Sequence, residues 1–124
     1  MDKTAIVLFS DPAGGDEAVG RLFNALFLAW ELKQAGREVA VILQGAGVRW
    51  AAEITRPEHP AHGLYVALAD QFAGVCGGCA DVFGATAAVA ATPLPIRREI
   101  DIPGVGSVID LSRYLADGWR LVTF

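Results

Sequence analysis

Apolar residues in the first third of the chain follow two different patterns. Residues 4–9 and 38–43 are nearly continuous runs of β-branched and apolar side chains. Such runs are typical of strands that are buried on both faces of a parallel sheet. Between them, apolar residues recur every three or four positions, which predicts a helix that opens at Asp16 and ends at Gly36. A strand, a helix and a strand in direct succession predict a right-handed βαβ unit.

The helical pattern recurs, more weakly, in the rest of the chain. We expect further helices over three segments, residues 48–54, 64–72 and 79–90. A last amphipathic helix is expected to have Ser107 as its N-cap and to end at Gly118.

Strands are expected to separate these helices. Residues 73–76 and 119–124 have the apolar character of short strands. The stretch 92–106 is rich in proline and glycine and resists assignment, although Ile100 and Ile102 indicate one strand there. Alternating strands and helices with short connections predict a single α/β domain over residues 1–124, built around a mostly parallel sheet.

The composition of the chain indicates contact with another subunit and argues against nucleic acid or a membrane surface as a partner. The chain is 53% hydrophobic and only 19% charged, which is apolar for 124 residues, so we expect part of its surface to meet another subunit. Its net charge is -4 and its ten Lys and Arg residues are scattered, which does not favour nucleic acid or a membrane surface as a partner. We expect neither a secretory leader nor a membrane span, because no leader pattern and no apolar segment of spanning length occur. Two cysteines so close together do not resemble the disulfide framework of a secreted protein, so we expect a reducing, cytoplasmic setting.

The two cysteines are the main candidates for chemistry. Cys76 and Cys79 lie two residues apart, separated by two glycines, where the third strand should meet a helix. A thiol at a helix start is near unsatisfied N–H groups, which favour the reactive thiolate. The glycines suit close approach of a reacting partner. The loops after Phe9, Leu43 and Val75 should open at the same sheet edge, where ligands bind in such folds.

Several uses of the thiol pair remain open at this point. It could cycle between dithiol and disulfide, carry a persulfide, hold a metal, or only fill space. A thioredoxin-like role is disfavoured because the pair lies past the middle of the chain and no Trp directly precedes it. His59 and His62 could complete a zinc site with the cysteines, but their spacing is unusual, and no metal or cofactor is expected. Arg97 and Arg98 could guide an anion, although a solvated loop is the simpler interpretation.

The order of these segments resembles the DsrE/DsrF-like family of small sulfur-relay proteins. The resemblance rests on the opening strand from Lys3, the helix ending at Gly36, the Gly45-Ala46-Gly47-Val48 turn, the Gly74-Val75-Cys76 segment with Cys79 and Gly84, and the closing strand after Gly118. It covers nearly the whole chain. It implies a three-layer α/β/α sandwich with a mainly parallel five-stranded sheet, commonly assembled as trimers or hexamers.

The resemblance also implies a function. Active members carry sulfur as a persulfide on a cysteine after the third main strand, a position that Cys76 matches, and Cys79 is similar to a second cysteine found in some members. The implied function is a sulfurtransferase or persulfide carrier with sulfur donor and acceptor proteins as partners. The alternative is an oligomeric binding or regulatory module in which Cys76 and Cys79 form a redox switch or are inert.

Overall fold

The computed structural model describes residues 2–124, and its strands and helices alternate along the chain. The strands are β1 (Lys3–Leu8), β2 (Glu38–Leu43), β3 (Phe72–Cys76), β4 (Ile96–Arg97), β5 (Ile100–Ile102), β6 (Gly106–Val108) and β7 (Arg120–Thr123). The α-helices are α1 (Gly15–Gln34), α2 (Trp50–Ile54), α3 (His62–Leu68), α4 (Gly77–Val82), α5 (Thr86–Ala90) and α6 (Leu111–Ala116). Short 3-10 turns precede α1 and α2 and follow α3.

Five strands form one sheet in the order β4-β3-β2-β1-β7, and every neighbouring pair is parallel. The predicted α/β fold with a parallel five-stranded sheet is therefore confirmed. β5 and β6 form a separate antiparallel hairpin. The strand order reverses between β1 and β7, so Cys76 on β3 shares the carboxyl edge of the sheet but lies two strands from the reversal.

The two faces of the sheet are covered unequally. Successive side chains of a strand point to opposite faces, and the thick face carries Ile6, Leu8, Val41, Leu43 and Val75. Residues from α1 to α5, including Leu22, Leu26, Trp50, Tyr65 and Leu68, bury this thick face. The thin face carries Ala5, Val7, Ile42 and Cys76. It is covered by Ile109 and by part-buried side chains before, within and after α6: Val108, Leu111, Tyr114, Trp119 and Leu121.

Two predicted helix positions were wrong. The segment 79–90 forms two helices, because the chain turns at Gly84 with φ of 66°, a conformation that favours glycine. Ser107 lies in β6 and does not cap a helix. The N-cap of α6 is Asp110, whose carboxylate accepts a hydrogen bond from the Ser112 N–H at 3.1 Å.

The remaining differences from the predicted elements are small. The helix expected over residues 64–72 ends earlier, and Phe72 already belongs to β3. The unassigned stretch 92–106 contains the fifth strand of the sheet, β4, as well as β5. No helix in residues 2–124 combines the length and apolar character needed to cross a membrane.

Candidate functional site

A bulge in β3 aims Cys76 at the thin face. Val41 of β2 pairs with Phe72, but the next residue, Ile42, pairs with Gly74, so Ala73 is an extra residue in β3. Without this insertion, the alternation of side chains would turn Cys76 to the thick face. Gly74 has φ of 145°, a conformation that an L side chain rarely adopts. The glycine and the bulge together set which layer of the protein receives the thiol.

The Cys76 side chain is completely buried under a segment that we call the strap, residues 98–109, which includes the β5–β6 hairpin. Ile109 and Val108 of the strap pack in the same apolar cluster as Cys76. Glu99 anchors the strap, because its N–H donates to the Val108 carbonyl oxygen at 2.8 Å and its carboxylate pairs with Arg113 of α6 at 2.8 Å. A reagent reaches the Cys76 sulfur only when this cover moves.

The two glycines between the cysteines are packed against the strap. A Cβ atom on Gly77 would lie 2.5 Å from Arg98 Cγ, and one on Gly78 would lie 2.6 Å from Val108 Cγ1. Neither glycine has a positive φ. The prediction that they leave room for a reacting partner was wrong, because strap side chains occupy that space. Their role here is to let the strap lie directly on the first turn of α4.

Cys79 lies in the first turn of α4, three residues after Cys76, and is only part-buried. Both thiols are free, and Cys79 packs against the apolar clusters of both faces. Burial raises the pKa of Cys79 from 9.0 to about 11, and its hydrogen bond with Cys76 adds to the rise. A hydrogen bond from the Gly45 N–H opposes this. The expectation that the helix start favours a Cys79 thiolate was therefore wrong, because desolvation outweighs it.

The loop after β2 completes the surroundings of Cys79 at the carboxyl edge of the sheet. The Gly45 backbone lowers the pKa of Cys79, and Gly45 itself packs against Phe9, the residue after β1. The neighbouring Gln44 has a buried side-chain oxygen with no hydrogen-bond partner within residues 2–124. The loops after β1, β2 and β3 thus meet at this edge, as the sequence predicted.

Two arginines flank Cys76 on the strap side. Arg97 of β4 is the register partner of Cys76, and its Nε donates to the Ala73 carbonyl oxygen at 2.9 Å. Arg98 lies over Gly77 and donates two hydrogen bonds to the Asp81 carboxylate, at 2.7 and 2.9 Å. Both arginines are exposed, as expected for a solvated segment, but Arg97 belongs to β4 and Arg98, in the connection to β5, is paired with Asp81. The sequence named Arg98 as a residue that could guide an anion but did not predict its contacts with Gly77 and Asp81, because nothing local to residues 92–106 shows that this segment returns to α4.

The histidines do not join the cysteines. His59 Nδ1 accepts a hydrogen bond from the Ala61 N–H at 3.0 Å, and its ring lies edge-on to Trp50. His62 Nδ1 lies 2.9 Å from the Ile54 carbonyl oxygen. Among the residues that the structure describes, no group of three or more His, Cys, Asp or Glu side chains could hold a metal ion. The zinc alternative therefore has no geometric support.

Comparison with known proteins identifies the family. The model of the DsrE/DsrF-like family matches residues 3–124. The uncharacterized protein MJ0733 of Methanocaldococcus jannaschii is 29% identical over 120 residues, which cover 97% of this chain and 93% of that protein. The crystal structure of the ychN protein from E. coli has a TM-score of 0.65 and 24% identity, with both chains fully covered.

A second solved structure shares the fold. A conserved protein of unknown function from Bacteroides thetaiotaomicron, BT1422, has a TM-score of 0.63 and 18% identity over 98% of this chain and 95% of that one. At these identities, the two solved structures support the fold alone.

Proposed function

The chain belongs to the DsrE/DsrF-like family, and on this premise we propose that it is a sulfurtransferase or persulfide carrier that takes up sulfane sulfur on Cys76. The observation that carries the proposal is the pairing of two free thiols at the carboxyl end of β3, where Cys76 is fully enclosed and Cys79 stands one helical turn away. A buried persulfide is protected from water and from chance thiols. A reducing, cytoplasmic setting suits the proposal because it keeps both thiols free.

The reaction needs only thiol chemistry. The Cys76 thiolate attacks the sulfane sulfur of the donor, a new S–S bond forms, and the donor's leaving group departs with the electron pair of the broken bond. An acceptor thiolate then attacks the outer sulfur and releases Cys76. If no acceptor arrives, Cys79 can attack the Cys76 sulfur, which forms a disulfide and expels hydrosulfide. Cys76 thus carries the sulfur, and Cys79 resolves or protects it.

Intact-mass spectrometry tests this proposal. Wild type, Cys76→Ser and Cys79→Ser proteins are incubated with inorganic polysulfide, desalted, and weighed before and after treatment with a reductant. We expect a reductant-sensitive gain of one sulfur atom on wild type and Cys79→Ser, and none on Cys76→Ser. The absence of added sulfur on wild type, or equal addition to Cys76→Ser, contradicts the proposal.

A second candidate function has its own supporting observation. The raised pKa of Cys79 and the complete burial of Cys76 suit a thiol pair that acts as a slow redox switch or is inert within a binding or regulatory module. If the pair is a redox switch, ligand binding or assembly changes when the disulfide forms. If the pair is inert, neither Cys→Ser change affects binding or assembly. In both cases Cys76 takes up no sulfur. Measuring sulfur uptake and oligomeric state on the same Cys→Ser variants separates these functions, because only the sulfur carrier gains mass on Cys76.

Self-assembly is part of both candidate functions. Apolar side chains are exposed in two regions, Val19, Phe27 and Trp30 on α1 and Ile100, Ile102 and Val105 on the strap. Exposed apolar side chains grouped in this way favour contacts between proteins, and trimers or hexamers would bury them. Native mass spectrometry checks the assembly, and a monomer at micromolar concentration would contradict it.

A further inference from the structure

Arg98 is the cationic side chain that lies against the Cys76–Gly77 segment. A Cβ on Gly77 would lie 2.5 Å from Arg98 Cγ and 3.0 Å from its Cζ, so the arginine crosses directly over the residue that follows Cys76. The hydrogen bond with Asp81 raises the pKa of Arg98, and the negative charges of Asp81 and of a Cys76 thiolate add to the rise. Arg98 therefore stands where it attracts negative charge at the sulfur.

The geometry of the Arg98 side chain leaves donors free. Asp81 accepts one N–H from each terminal nitrogen, at 2.7 and 2.9 Å. A guanidinium has five N–H groups, so the Nε–H and the second Nη2–H form another two-donor edge. Within residues 2–124 these donors have no side-chain partner. Such an edge matches two oxygens of a carboxylate, sulfonate or phosphate.

Arg98 is also accessible, unlike the thiol that it flanks. Its side chain is 39% exposed and that of Asp81 is 48% exposed, so an anion from solvent can contact the guanidinium before the strap opens. Arg97 lacks this free two-donor edge, because its Nε–H already donates to the Ala73 carbonyl oxygen. Asp81 holds Arg98 in place through its two hydrogen bonds, and the same pairing keeps the pKa of the Asp81 carboxyl well below its ordinary range.

We infer that Arg98 is the anion-recognition residue of the Cys76 site and selects a small sulfur donor whose leaving group is an oxyanion, of the thiosulfate or thiosulfonate class. This inference rests on the proposed function. Arg98 is the first residue of the strap and is held to α4 by Asp81, so it keeps its place while residues 99–109 move. Its guanidinium binds oxygens of the sulfonate group, which leaves the terminal sulfur free to meet Cys76.

The transfer step balances without any further reagent. The Cys76 thiol first loses its proton to water, and the thiolate attacks the terminal sulfur of thiosulfate. A bond forms between the two sulfurs, and the S–S bond of thiosulfate breaks. The electron pair of that bond leaves with sulfite, and Cys76 keeps a persulfide. Arg98 stays bound to the oxygens that receive the departing charge.

The test compares two donors on matched variants in the Cys79→Ser background, so that Cys76 is the only thiol. Initial rates of sulfur uptake are measured by mass spectrometry with thiosulfate and with hydroxyethyl persulfide, which carries no sulfonate. The variants are Arg98→Gln, Arg98→Lys and Arg120→Gln. Arg120 lies on β7, at the far edge of the sheet, and its change alters the net charge equally. The ratio of the two rates cancels any change in strap opening, because both donors need it.

We expect Arg98→Gln and Arg98→Lys to lower the thiosulfate-to-persulfide rate ratio about tenfold, the size of a lost charge-assisted bidentate contact, and Arg120→Gln to leave it unchanged. Lysine keeps the positive charge but lacks the two-donor edge of the guanidinium. The Arg98→Lys variant therefore separates bidentate hydrogen bonding from electrostatic attraction alone. An unchanged ratio in both Arg98 variants overturns the inference. Uptake by the parent protein from hydroxyethyl persulfide but not from thiosulfate also overturns it, while the proposed function stands. Uptake from neither donor overturns both.

Discussion

The two faces of the sheet differ in how completely they are shielded from solvent, and Cys76 lies on the less shielded, thin face. Side chains that cover the thick face, such as Leu22, Leu26 and Leu68, have no solvent exposure. The thin face is covered by a single short helix and the strap, whose own apolar residues Ile100 and Val105 are 42% and 55% exposed. The thick face therefore supplies most of the folding stability, and the thin face is where a buried thiol can become reachable without loss of the fold.

The largest expected difference is in the free energy of unfolding, between a variant truncated on the thick face and one truncated on the thin face. Leu26→Ala leaves a cavity in the thick face and should lower the free energy of unfolding by about 2–5 kcal/mol. Leu121→Ala makes the same change among the part-buried residues of the thin face and should cost about 1 kcal/mol. Urea denaturation of both variants measures the difference. Equal losses would remove the distinction between the faces.

A smaller change should loosen the thin face alone. In Gly78→Ala the new Cβ would meet Val108 Cγ1 at 2.6 Å and the Ser107 carbonyl oxygen at 3.1 Å, so the strap must shift, at about 1–3 kcal/mol. The matched control is Gly20→Ala in α1, where nothing lies within 4 Å of the new Cβ and stability should rise by about 0.5–1 kcal/mol. Alkylation of Cys76 by iodoacetamide should accelerate in the first variant only. Unchanged labelling in Gly78→Ala would mean that the strap does not cover the thiol.

The smallest expected effect is a change of stability with pH. Burial raises the pKa of Cys79 from 9.0 to about 11, so the folded protein binds the thiol proton more tightly than the unfolded chain does. The stabilisation that this tighter proton binding gives the folded protein is complete below pH 9.0 and is lost as the pH rises from there to about 11. Urea denaturation of reduced protein across this range should show a loss of stability that is smaller in Cys79→Ser. Identical pH profiles would contradict the raised pKa.

Sequence patterns predicted the thick face well because it is built from long, regular elements. The continuous apolar runs of β1 and β2 and the periodic residues of α1 have few alternatives, and their positions agree with the structure to within one or two residues. The position of Cys76 at the end of β3 was also predicted, because a strand signal, a helix signal and glycines meet there.

The thin face could not be predicted from local patterns. The strap folds back on α4 through contacts between residues far apart in sequence, such as Gly78 with Val108 and Arg98 with Asp81. Ser107 has the chemistry of a helix cap, but pairing of β6 with β5 overrides that preference. The bulge had one signal, a glycine inside a strand at Gly74, which marks a bulge or a close approach of another chain segment.

The central claim is that Cys76 is reached by local opening of the thin face, and the most direct test is its labelling rate in increasing, sub-denaturing urea. Cys79→Ser protein is reacted with iodoacetamide, and the urea dependence of the rate is compared with the m-value of global unfolding. We predict slow labelling with a urea slope well below the global m-value, and faster labelling in the Gly78→Ala variant. A slope equal to the global m-value, or a rate equal to that of an unfolded peptide, would contradict the claim.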